Sequence, residues 1–189
     1  MEQKLFDAAR DGNVDVVKEI LKNNPKIKVN WKNDYGGTAL HTACNNGQDA
    51  VVFLLLAHPG IDVNQKNNFG NTPFKVVCEN GRTTCARLLL KDSRVKVNEP
   101  DNDGDNPLWY AAYKGQLDAI KWWIASGRGM DLGQPGSWTT DAIGAARKWG
   151  KTEVASLLER SKVNPSQTRE QIRKELGITG NVKFQCCNE

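Results

Sequence analysis

Residues 37–47 read Gly37-Thr38-Ala39-Leu40-His41-Thr42-Ala43-Cys44-Asn45-Asn46-Gly47. Thr38 is of a type that caps helix starts, and Leu40, Ala43 and Cys44 fall at helical spacing. Gly47 fits a helix C-cap, where a residue at positive φ satisfies the last carbonyls without a Cβ clash. Beyond it Val51, Val52, Leu55 and Leu56 resume helical spacing. The segment therefore predicts two short helices joined at a glycine.

The same unit returns along the whole chain. Glycines stand at Gly12, Gly47, Gly81, Gly115 and Gly150, spaced 35, 34, 34 and 35 residues apart. Thr38, Thr72, Asn106 and Asp141 each precede one of them by nine residues, as Gln3 precedes Gly12. Val29-Asn30, Val63-Asn64 and Val97-Asn98 keep the same beat, and Leu132-Gly133 stands where a fourth such pair would fall. Both 35-residue gaps trace to one extra residue, within 22–28 and within 125–131, which marks a loop. A fixed period with variation confined to one connection is the signature of a solenoid.

Within the unit the first helix is poor in bulk, with Ala8-Ala9, Ala43-Cys44, Val77-Cys78 and Ala111-Ala112 in register. The second carries Leu54-Leu55-Leu56, Leu88-Leu89-Leu90 and Trp122-Trp123-Ile124. Small residues let neighbouring first helices approach, and large ones fill the layer behind, so Trp122 and Trp123 are both expected in the core. Asn33-Asp34-Tyr35-Gly36, Asn67-Asn68-Phe69-Gly70 and Asp101-Asn102-Asp103-Gly104 read as turns that project a finger. Pro73 and Pro107 follow the capping residue at the first helical position, where a missing donor costs nothing.

This pattern resembles the ankyrin repeat, most closely in Gly37-Thr38-Ala39-Leu40-His41-Thr42-Ala43 and in Asn71-Thr72-Pro73-Phe74, over residues 3 to about 160. The family's histidine survives here only as His41, replaced by Lys75, Trp109 and Gly144, and Asp141-Ala142-Ile143 stands for Thr-Pro-Leu. The resemblance implies an all-α ankyrin-repeat solenoid of stacked helix-turn-helix units with projecting β-turn or hairpin fingers. The repeat domain is expected over 1–163, in units of approximately 1–34, 35–68, 69–102, 103–137 and 138–163, with units 1 and 5 as end caps. A capping helix is expected in 164–178, and 179–189, which lacks any period, is expected to be disordered.

Composition excludes several classes. Hydrophobic residues make up 39% of 189, enough for a core, but no apolar run approaches the roughly 18–20 residues that span a bilayer. Neither a membrane span nor a signal peptide is expected. Cys44, Cys78 and Cys85 occupy small or apolar positions, as reduced thiols of a cytoplasmic or nuclear protein would. The net charge of +4 arises after residue 146, since residues 1–146 hold 17 Lys/Arg and 17 Asp/Glu. Two histidines and cysteines without zinc-ligand spacing leave no catalytic constellation, metal site or cofactor motif. Gly144 to Thr152 fails the phosphate-loop spacing by one residue, and Asp101, Asp103 and Asp105 lack the glycine position and the closing glutamate of a calcium loop.

Ankyrin-like stacks bind through a concave face of finger tips and first helices, and that resemblance places the candidate partner contacts. At the tips these are Tyr35, Phe69, Asp103 and Trp138. Beside the repeating glycine they are Asn46, Asn80, Tyr113, Lys114 and Trp149, joined by Trp109 and Tyr110 on the fourth first helix. Trp109 and Tyr110 also have a packing reading, between neighbouring first helices. A non-enzymatic, monomeric module that binds a protein or peptide is expected, as adaptor, scaffold or inhibitor. The alternatives are an anionic partner, such as nucleic acid, at the basic carboxyl end, or a fragment of a larger multidomain protein.

Overall fold

The computed structural model describes residues 1–133 and 140–178, and every regular element among them is a helix. They pair as α1 (Glu2–Asp11) with α2 (Val14–Asn23), α3 (Ala39–Asn46) with α4 (Asp49–Leu56), and α5 (Pro73–Asn80) with α6 (Thr83–Lys91). The series continues with α7 (Pro107–Lys114) and α8 (Leu117–Ser126), then α9 (Ala142–Lys148) and α10 (Thr152–Val163), followed by α11 (Pro165–Glu175).

Local chemistry sets the first helices. Thr38, Thr72, Asn106 and Asp141 each accept a hydrogen bond from the backbone amide three residues on, which satisfies a donor the helix cannot. Gly12, Gly47, Gly81 and Gly115 end the first helices in the left-handed conformation. The terminal units depart from the rule: Gln3 lies inside α1, which has no side-chain cap, and α9 ends at Trp149, one residue before Gly150.

The first helices stack in chain order, α1 on α3 on α5 on α7 on α9, and the second helices form the layer behind. Ile20, Leu55, Leu89, Trp123 and Leu158 form one buried file through that layer, a repeat apart from one another. Phe74 of α5 meets Trp123 edge-on with ring centres 5.0 Å apart. Trp123 is therefore core, whereas its neighbour Trp122 is only half-buried and carries the Arg87 guanidinium 4.0 Å above its ring. The final helix α11 packs against α8 and α10 with Ile172 fully buried.

Three periodic ties join the units. Asn30, Asn64 and Asn98 each donate to a carbonyl in the next unit, at Gly60, Arg94 and Gly129, and each accepts an amide there, from Asp62, Lys96 and Asp131. Gln48 and Gln116 reach back to the Arg10 and Glu79 carbonyls beside the preceding unit's glycine, and Arg82 reaches the Asn45 carbonyl. At the fingers, Asn33, Asn67 and Asp101 accept two amides apiece through one side-chain oxygen and so close each turn. Successive turns are laced together by Asn68 N–H to the Tyr35 carbonyl and Asn102 N–H to the Phe69 carbonyl. Gly70 shows why the tip needs glycine: its φ is +79°, and a Cβ there would stand 2.5 Å from the Asn102 amide nitrogen.

Candidate functional site

The capped first helices and the laced fingers present one continuous face, on which the described candidates can be placed. Tyr35 and Phe69 project from adjacent tips and are 69% and 61% exposed. Asp103 is exposed on the next tip. Asn46 and Asn80 are exposed near the ends of α3 and α5, and Asn80 bonds across the unit boundary to the Asn45 side chain. The expected contact Trp138 lies outside the described residues, as does the expected tail 179–189.

At α7 and α9 the aromatic residues converge. Tyr113 and Trp149 meet edge to face with ring centres 4.8 Å apart, and Tyr113 stacks on Trp109 at 5.4 Å. Trp109 also meets Tyr110 and Trp149, at 5.1 and 6.3 Å. Tyr110, Tyr113 and Trp149 are half-buried, Lys114 is exposed, and Lys114 and Lys148 stand about 5 Å over the Tyr113 and Trp149 rings. Trp109 itself is 3% exposed, with its indole N–H donating to the Thr140 carbonyl at 3.0 Å. The expectation that Trp109 meets a partner is corrected here. It occupies the histidine slot of its unit, ties α7 to the next unit and forms the floor under Tyr113 and Trp149.

His41 shows what that slot does in its standard form. Its Nε2 faces the Asn71 carbonyl at 2.9 Å, so Nε2 carries the proton, and Nδ1 accepts from the Thr38 amide at 3.2 Å. Burial pushes its pKa down to about 4 despite that carbonyl partner. A depressed value means that the folded state disfavours the charged ring, so stability is present above about pH 6.5 and is lost as pH falls toward about 4. The loss should amount to roughly 3 kcal/mol, read as the difference between urea-unfolding curves of the native chain and His41→Gln across that range. Parallel curves would show that His41 does not supply the acid sensitivity.

The third unit fills the slot with Lys75, only 2% exposed. Its ammonium donates to Asn71 Oδ1 at 2.7 Å, pairs with Asp101 Oδ2 at 3.1 Å and lies 3.5 Å from the centre of the Tyr110 ring. Asp101 also holds its own finger closed through Oδ1 and accepts from Tyr110, whose hydroxyl pKa is raised by burial first and Asp101 second. Asp105 lies beside them, 2% exposed, with both carboxylate oxygens lacking a donor among the described residues. Burial pushes its pKa up, and the negative charges of Asp101 and Asp103 add to the effect. This network was missed by sequence reasoning, although its signal was present: Lys75 departs from the histidine slot in the same junction where Asp101 departs from Asn33 and Asn67.

The equivalent of Asp105 one unit earlier is Asn71, which keeps the size and drops the charge. Since an ionised, undonated carboxylate penalises the folded state at neutral pH, Asp105→Asn should raise stability by about 1 kcal/mol. Thermal unfolding at pH 7 and at pH 4 checks the sign, because the advantage should shrink once Asp105 is protonated.

The thiols of Cys44, Cys78 and Cys85 are buried, and that burial pushes their pKa values up. Among the described residues no group of three or more His, Cys, Asp or Glu could hold a metal ion, and no helix is long and apolar enough to cross a membrane.

Comparison with known proteins agrees with the geometry. Residues 3–67 and 59–136 match the family of ankyrin repeats, in three copies. The chain belongs to the ankyrin-repeat family. A stretch of 48 residues is 48% identical to Inversin-B of Xenopus laevis. That stretch is 25% of this chain and 5% of the length of Inversin-B, so the likeness is to one part of a much longer protein. Ankyrin repeats are interaction modules rather than enzymes, and they generally bind proteins. In this ankyrin stack Tyr35, Phe69 and Lys114 are exposed, and Tyr113 is half-buried against Trp109 and Trp149.

Proposed function

We propose that this ankyrin-repeat chain is a non-enzymatic module that captures a protein or peptide on its finger-and-helix face, acting as adaptor, scaffold or inhibitor. One observation carries the reading: Tyr113 and Trp149 form an edge-to-face pair on a rigid, buried Trp109 floor while remaining partly open to solvent. Rigid aromatic anchors of this kind supply large contact area at little entropic cost, and truncating one commonly removes about 2 kcal/mol or more of binding. Tyr35 and Phe69 extend the apolar contact toward the fingers of the second and third units.

The test is affinity capture from cell extract with the native chain and with the Tyr113→Ala, Trp149→Ala double variant, at low and high salt. The expected result is a salt-resistant protein partner that the double variant loses. Its unfolding free energy should fall by distinctly less than the about 3–5 kcal/mol that truncating a fully buried aromatic costs. Capture that ignores the double variant but disappears with salt or nuclease would instead favour an anionic partner at the carboxyl end. Against that second reading, Lys174 pairs with Glu170 and Arg147 with Glu159, so part of the basic charge there is already met.

A further inference from the structure

Away from the aromatic face, the loop after α8, the end of α10 and the start of α11 enclose a recess of about 310 Å³. No residue of a first helix lines it. Its floor is apolar, made by Ile124, Met130, Leu132 and Leu158. Its rim carries Lys162 and Arg169, both exposed and neither with an acidic partner among the described residues. Arg128 also lines it, with its guanidinium donating to the Leu90, Asp92 and Val95 carbonyls. Among the described residues no carboxylate lines the recess.

Ser161 adds an independent sign of a ligand. It is 7% exposed and lines the recess, yet its hydroxyl has no hydrogen-bond partner among the described residues. The volume stands at the lower end of the roughly 300–1,000 Å³ typical of small-molecule sites.

We propose that this recess binds a small anionic amphiphile, with its acyl or aryl part on the Ile124, Met130, Leu132 and Leu158 floor. The carboxylate or phosphate head is held by Lys162, Arg169 and the Ser161 hydroxyl. Charge complementarity selects the head, because the rim presents cations and donors without a competing acid, and charge-assisted bonds are the strong ones. The site is separate from the aromatic face, so a ligand here and a protein partner there can be held together.

Titration calorimetry of the full chain with decanoate tests the proposal, with decylamine and inorganic phosphate as comparators. Decanoate should bind one per chain, decylamine should not bind, and phosphate alone should bind more weakly than decanoate. The Lys162→Ala, Arg169→Ala double variant replaces two exposed side chains and should keep the native unfolding midpoint while weakening decanoate at least about tenfold. Unchanged affinity in that variant, equal binding of decylamine, or phosphate binding as tightly as decanoate would each overturn the assignment. Absence of decanoate binding in the native chain would overturn it outright. Loss of the aromatic pair Tyr113 and Trp149 should leave decanoate binding unaltered, which separates this site from the proposed partner face.

Discussion

Asp101→Asn is expected to destabilise the stack by about 3–5 kcal/mol, the cost of leaving one member of a buried ion pair without its partner. The carboxylate is 3.1 Å from the Lys75 ammonium, and both side chains are 3% exposed. Asparagine keeps an oxygen for the Asp103 and Asp105 amides, so the finger can still close, and what is lost is the charge opposite Lys75. Glu79 stands farther off, at 3.7 Å and more exposed, and Asn71 offers only a neutral acceptor. Chemical unfolding of Asp101→Asn, Lys75→Met and the double variant measures the coupling. Because a buried pair is often replaced by apolar residues at little cost, the double variant should recover most of the loss. Additive losses in the cycle would show that Lys75 and Asp101 do not depend on each other.

Leu89→Ala is the second large effect, at about 2–5 kcal/mol by lost transfer energy and the cavity left behind. Leu89 is fully buried in the file that runs from Leu55 to Trp123. A stacked helix has few ways to collapse onto such a hole, because its neighbours are held by the asparagine ties of adjacent units. Its half-buried neighbour Leu88 provides the control and should cost distinctly less when truncated. A loss below about 0.5 kcal/mol at Leu89 would mean that the second-helix faces are assigned the wrong way round.

The period located the fingers and first helices, and Tyr35 and Phe69, at unpatterned tip positions, are indeed exposed. Trp109 escaped this logic. An aromatic in the histidine slot reads equally as anchor or floor, and only the Thr140 carbonyl across the unit boundary shows which. Trp122 and Trp123 differ for a similar reason. They align with the adjacent leucines Leu54-Leu55, Leu88-Leu89 and Leu157-Leu158, but Phe74 covers Trp123, and Trp122 is left under Arg87.

The sequence by itself determined what depends on near neighbours along the chain. Capping at Thr38, Thr72, Asn106 and Asp141, the left-handed glycines and the apolar spacing each act within a few residues, so their signal is local and repeats with the unit. Tertiary structure decided what depends on residues one repeat away. The Val-Asn asparagines turned out to be cross-unit clamps, and Gly70 is needed as much for the Asn102 backbone beside it as for its own φ. Lys75 became a buried cation only because Asp101 and Tyr110, on the next finger and helix, close over it. A 34-residue period specifies that such positions meet; which charge, ring or carbonyl each finds there depends on the side chains stacked above and below.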